Sequence, residues 1–130
     1  MMAWGLCERG DALRSAGQHQ AALADYDRAL DLDPGYASAY ASRAVSRAEL
    51  GRHEEALADL DRAVELNPHY AWALGRRALV HLELGDPARA LADADRALAL
   101  SPDDPFVRDV HAHTVSEAGR HTGPSPAPWE

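Results

Sequence analysis

The apolar positions of this chain recur at helical spacing, and many of them are small. Ala22 and Ala29 lie seven residues apart, as do Ala56 and Ala63, and Ala90 and Ala97. Seven residues are two helical turns, so each pair marks one face of one helix. Gly10, Ala44 and Ala78 supply small residues to the intervening stretches, while Leu23, Tyr26, Leu30, Leu32 and Leu60 supply bulk. Small side chains let helix backbones approach closely and larger ones fill the gaps, so these positions read as core. The breaks are equally regular. In the middle of the chain a first helix is predicted from Ala37 to Leu50 and ends at Gly51, a residue free to adopt the left-handed conformation of a helix C-terminus. A second runs from Glu54 to Leu66 and stops before Pro68, which cannot continue a helix. Asp86-Pro87 reads as an N-cap followed by proline at the first helical position. The loops are only a few residues long, so successive helices must run antiparallel.

The pattern is a repeat. Rows of 34 residues starting at Ala3, Ala37 and Ala71 align without gaps, and twelve columns are identical in all three. Among them are Arg9/Arg43/Arg77, Gly17/Gly51/Gly85, Asp25/Asp59/Asp93, Arg28/Arg62/Arg96 and Pro34/Pro68/Pro102. A fixed period in this range means stacked supersecondary units. Arg on each first helix and Asp on each second helix suggest an inter-helix Arg–carboxylate bond made three times, bidentate where geometry allows. Arg28, Arg62 and Arg96 follow Asp25, Asp59 and Asp93 by three residues, a spacing that also suits an intrahelical pair.

These residues resemble the tetratricopeptide repeat (TPR) family. The marks are the 34-residue period, the turn glycine, the A-L-A-D-(Y/L/A)-D-R-A-(L/V) second helix and the closing proline. D-P-G-Y-A-S-A-Y at 33–40 and N-P-H-Y-A-W-A-L at 67–74 look like the family's repeat junctions. The chain departs from the family at Arg9, Arg43 and Arg77, where a Leu is usual, and at Leu13, Arg47 and His81, where an aromatic is usual. The resemblance implies an all-α fold: an α-solenoid of antiparallel helix–turn–helix repeats with about seven helices. The repeats would be 3–36, 37–70 and 71–104. Residues 105–119 would form a capping helix, opened by Asp104-Pro105, packed through Phe106, Val107 and Val110, and ended at Gly119. Residues 120–130 carry three prolines and Trp129 and are expected to be a flexible tail. The first helix, with Gly5 and Gly10, is expected to be the least stable element.

Composition narrows the role. The 130 residues allow one domain, and a hydrophobic fraction of 46% allows a core. Thirteen basic residues, all Arg, oppose twenty-one acidic ones, for a net charge of −8. That balance disfavours nucleic acid and anionic membranes. No run is long and apolar enough to span a bilayer, and no secretory signal is visible at the start, so a cytoplasmic location is expected. Richness in Ala, Arg, Asp and Pro without Lys points to a high-GC bacterial gene.

Chemistry is sparse. The lone Cys7 can form neither an internal disulfide nor a multi-cysteine zinc site, and has no evident base partner. His111 and His113 diverge on a helix, and His81 could approach one of them, but a third ligand is missing. No phosphate loop is present. The expectation is therefore no enzyme activity, no cofactor and no metal.

By the family resemblance, first helices line a concave groove. Trp4, Cys7, Glu8 and Asp11 would face it from the first repeat. Ser38, Ala41, Ser42, Val45 and Glu49 would face it from the second, and Trp72, Gly75, Arg76, Leu79 and Glu83 from the third. Such a surface suits a protein or peptide ligand that inserts side chains. Some TPR domains hold the terminal carboxylate of chaperone tails with Lys and Asn. This chain has no Lys, and its single Asn67 lies at a repeat junction, which speaks against that clamp. The alternative to groove binding is an assembly role, with self-association through the repeat ends.

Overall fold

The computed structural model describes residues 1–121 and contains seven helices. They are α1 (Ala3–Ser15), α2 (His19–Leu32), α3 (Ala37–Glu49), α4 (His53–Leu66), α5 (Ala71–Glu83), α6 (Pro87–Leu100) and α7 (Pro105–His121). No strand occurs among the described residues. Of the expected tail 120–130, residues 122–130, Trp129 among them, lie outside them.

Each α-turn-α unit closes in the same way. Gly17, Gly51 and Gly85 all have φ +79°, which a side chain would oppose. The following N–H reaches back five residues, Gln18 to Leu13 O, Arg52 to Arg47 O and Asp86 to His81 O, each at 2.8 Å. This is the hydrogen-bond pattern of a glycine-terminated helix, and it satisfies carbonyls that the helix end leaves unpaired. The Asp86 carboxylate accepts from Arg89 N at 3.1 Å with Pro87 behind it, so the N-cap read from Asp86-Pro87 is present. Asp104 likewise accepts from Phe106 N at 2.9 Å and starts α7. That helix continues through Gly119 to His121 instead of ending at the glycine, because Gly119 does not take a positive φ.

Consecutive helices pack against each other throughout. First helices also touch across repeats, α1 on α3, α3 on α5 and α5 on α7, whereas α2, α4 and α6 do not contact one another. One layer is continuous and the other is splayed, so the stack curves with α1, α3, α5 and α7 on its inner side.

The small residues set the spacing. Ala22, Ala29, Ala56, Ala63, Ala90 and Ala97 are completely buried. Facing positions are complementary in size. Tyr26 in α2 is fully buried against Gly10 in α1, where an added Cβ would lie 2.7 Å from the Tyr26 ring. The next repeat has Leu60 and Ala44 at these positions, and the third has Ala94 and Ala78. Less bulk on α6 coincides with a buried His81 on α5. The core is thus filled differently in each unit at constant backbone geometry.

Candidate functional site

The first helices carry two chemically distinct flanks. On the flank facing the second helices, Arg9 donates to both oxygens of Asp25 at 2.7 and 2.8 Å. Arg43 does the same to Asp59 at 3.0 and 2.7 Å, and Arg77 to Asp93 at 2.7 and 2.8 Å. The expected inter-helix bond is therefore made three times and is bidentate each time. Arg43 also donates to Asp27 of the preceding repeat at 2.9 Å, and Arg77 to Asp61 at 3.1 Å. His111 takes the corresponding place in α7 and meets Asp95 at 2.8 Å. This ladder accounts for Arg where the family commonly has Leu: one guanidinium ties its own repeat to the one before.

Because first-helix arginines occupy the carboxylates, the intrahelical pairing expected of the other three arginines gives way. Arg62 pairs with Glu65 at 3.2 Å, Arg96 donates to Pro68 O at 2.9 Å, and Arg28 adds only a longer-range field at Asp25. Beside the ladder, His81 Nε2 lies 3.7 Å from Asp93. His81 and His111 thus engage separate aspartates, and among the described residues no group of three potential ligands could hold a metal ion.

The inner flank is built from columns that change residue between repeats. Trp4, Ser38, Trp72 and Phe106 share one column. Trp4 is 64% exposed, whereas Trp72 is half-buried and stacks at a tilt on Tyr70, with ring centroids 6.1 Å apart. Tyr70 donates toward Ser38 Oγ at 3.4 Å. Phe106 lies over Gly75, where a Cβ would come 2.9 Å from its ring. The Arg76 guanidinium sits 6.0 Å from the Trp72 ring centre and 5.6 Å from that of Phe106, making two cation–π contacts. Among the described residues Arg76 has no carboxylate within salt-bridge distance. Burial, aided by Arg14, holds its pKa below the usual arginine value, and Glu49 opposes the shift.

The sequence-derived groove residues separate by depth. Ala41 is fully buried, and Cys7, Ser42 and Val45 are nearly so. Gly75 is buried beneath Phe106. Asp11 is partly buried and accepts from the Tyr26 hydroxyl at 2.6 Å, while Arg14 donates to the same hydroxyl at 3.2 Å. Glu8, Glu49 and Glu83 are exposed, and Ser38 and Leu79 are half-buried. Burial, then the charge of Asp11, pushes the Cys7 thiol up to about 11. A thiol so placed is protonated and unreactive near neutrality.

Five of these residues converge. Val45, Glu49, Arg76, Leu79 and Glu83 line a cavity of about 370 Å³ bounded by α3, α4, α5 and α7. Ala44, Ala48, Leu60, Val80 and Leu82 complete its apolar wall, and His53 and His113 border it. His113 and Phe106 were missed from the sequence as inner-face residues. Each continues a column, His113 after Leu79 and Phe106 after Trp72, so extending the repeat alignment into α7 would have found both. A second depression, bounded by Leu57, Asp61, Arg77, His81, Arg89, Ala92 and Asp93, lies at the ladder. Its Arg77, Asp61 and Asp93 are already bonded to one another.

A family profile described as "Tetratricopeptide repeat" matches residues 7–71 and, again, 43–105. The chain belongs to the TPR family. No curated protein matches it in sequence. Among solved structures, it is similar to the first TPR of Spaghetti (RPAP3) bound to the HSP90 peptide SRMEEVD: 26% identity, TM-score 0.83, 90% of this chain and 93% of the other covered. The first TPR domain of human RPAP3 gives 26% identity and a TM-score of 0.85, covering 95% and 98%. The second TPR domain of human RPAP3, in complex with the HSP70 peptide SGPTIEEVD, gives 26% and 0.78, covering 87% and 94%. Seven helices fit three TPR repeats followed by a further helix, the architecture of an all-α solenoid. Among the described residues no helix is long and apolar enough to cross a membrane.

Proposed function

We propose that this TPR array is a non-catalytic interaction module, an adaptor or scaffold that takes a peptide or helix in its concave groove. The observation that carries the reading is the cavity bounded by α3, α4, α5 and α7. There an apolar wall meets a half-buried cation and two exposed carboxylates on the inner side of the curve. Concave, largely apolar sites with a few placed polar groups are the usual form of a binding site. The peptides held by the related TPR structures support the same use of the fold. No residue of the cavity forms a nucleophile–base pair, so no catalytic role is assigned. A cytoplasmic location goes with this reading.

The test is partner capture with wild type, Leu79→Glu in the cavity and Ala58→Glu on the exposed side of α4, each confirmed folded by circular dichroism. Partners lost with Leu79→Glu and kept with Ala58→Glu are expected. The same partner set for all three would overturn groove binding. Self-association through the repeat ends is the second reading, favoured by the exposure of Met1, Met2 and Trp4 together at one end. It predicts a mass that rises with concentration in light scattering and falls back with Trp4→Glu.

A further inference from the structure

We propose that the groove selects a basic, apolar peptide segment: a Lys or Arg side chain directed to Glu49 and Glu83, and a large apolar side chain seated on Val45, Leu79 and Leu82. This rests on the groove reading above and names the chemistry of its occupant. Glu49 and Glu83 hold the same column in successive repeats, are both exposed, line the same apolar cavity, and among the described residues neither forms a salt bridge. A ligand cation there gains attraction without first breaking an existing ion pair.

Arg76 lies seven residues before Glu83 on α5, so about 10 Å away along the helix axis, and within the electrostatic reach of Glu49. Held between Trp72 and Phe106 and lacking a carboxylate, its guanidinium excludes a second cation there and can donate to ligand carbonyls. About 10 Å is three residues of extended chain. Along α5 the cavity thus has a direction: cation toward Glu83, apolar side chain in the middle, backbone acceptors at Arg76. Acidic segments such as those held by the related TPR structures would instead meet these glutamates, with Glu8 also on the inner flank. A second copy of this chain, at net charge −8, is disfavoured as occupant for the same reason.

The experiment is fluorescence anisotropy with three labelled probes. They are an acetylated octapeptide carrying two lysines beside two leucines, the same peptide with glutamates for the lysines, and SRMEEVD. The lysine probe is expected to bind about tenfold more tightly than the glutamate probe at low ionic strength, a gap that narrows with salt. Glu49→Gln with Glu83→Gln should reduce that gap to about twofold, and Glu49→Lys with Glu83→Lys should invert it. Leu79→Ser should weaken every probe. If the glutamate probe or SRMEEVD binds best and is lost with Leu79→Ser, the charge assignment falls and groove binding stands. If the lysine probe binds but ignores all these substitutions, its binding is non-specific and the proposal falls. If natively folded protein binds none of the probes, this proposal and the groove reading fall together.

Discussion

The two flanks of the first helices behave as different materials. Toward the second helices, Arg9, Arg43 and Arg77 repeat one bidentate geometry on Asp25, Asp59 and Asp93. Toward the groove, the corresponding positions pass through Trp4, Ser38, Trp72 and Phe106, through Glu8, Ser42, Arg76 and Val110, and through Asp11, Val45, Leu79 and His113. Every unit needs the first set to close and to join its neighbour, so the residues are the same. The second set meets different partners in each unit, Tyr26 at Asp11, Tyr70 at Trp72, Gly75 at Phe106 and the core at Val110, so each unit presents its own chemistry. Repetition here marks what stacking requires, and variation marks what stacking leaves free to change.

The sharpest way to break this contrast is at the centre of the ladder. Asp59 is buried and accepts from Arg43 and Arg47, so Asp59→Ala leaves two largely covered arginines with only their exposed partners, Asp27 and Glu55. We expect a loss of about 3 kcal/mol in urea unfolding, the scale of removing one partner from a buried pair. Asp25→Ala should cost clearly less, because Arg9 is 49% exposed and ties to no earlier repeat. Equal losses at the two sites would mean that the deeper burial of Arg43 and the second arginine on Asp59 contribute nothing.

Gly10→Ala comes next. Its Cβ would meet the Tyr26 ring at 2.7 Å, and the overpacking should cost about 2 kcal/mol. Adding Tyr26→Leu reproduces the Ala44/Leu60 combination of the second repeat and should recover part of the loss, though it leaves Asp11 and Arg14 without the tyrosine hydroxyl. No recovery would show that the units are not interchangeable in their cores.

The smallest expected effect is an acid limb. The Arg9 guanidinium, through its hydrogen bonds, holds the Asp25 carboxyl below the usual carboxylate range, outweighing the opposing pull of burial. The folded-state pKa is depressed, so this contribution is complete above the unfolded value of about 3.9 and fades as pH falls through the folded value. Asp25→Asn should lower stability near neutrality, where the ion pair contributes fully, and flatten the stability–pH curve in that acid window. An identical acid limb in the variant would remove Asp25 from the account.

Much of this was legible in advance because the sequence repeats. Twelve identical columns located the helices, the glycine turns and the Arg–Asp partners, since three copies of a pattern separate requirement from accident. The capping helix was misjudged at its end: Gly119 aligns with the turn glycines, but the chain there keeps helical φ and the glycine only permits a turn. The groove was less legible. Glu8 and Ser42 share one of its columns, yet Glu8 is exposed and Ser42 buried, because depth depends on how neighbouring repeats close over a position. The intrahelical partners expected for Arg62 and Arg96 failed for a related reason, as a local spacing rule was overridden by carboxylates already held from the adjacent helix.

The sequence by itself determined the period, the helix pairs and the recurring ion pair, because these are set by local propensity and by contacts that every unit repeats. Only the tertiary structure decided that one arginine would span two repeats, that Gly75 would admit Phe106, and that Arg76, Glu49 and Glu83 would share a cavity. Those arrangements depend on the angle at which one repeat lies on the next. That angle is fixed by the packing of side chains distant in the chain, and no single repeat contains it.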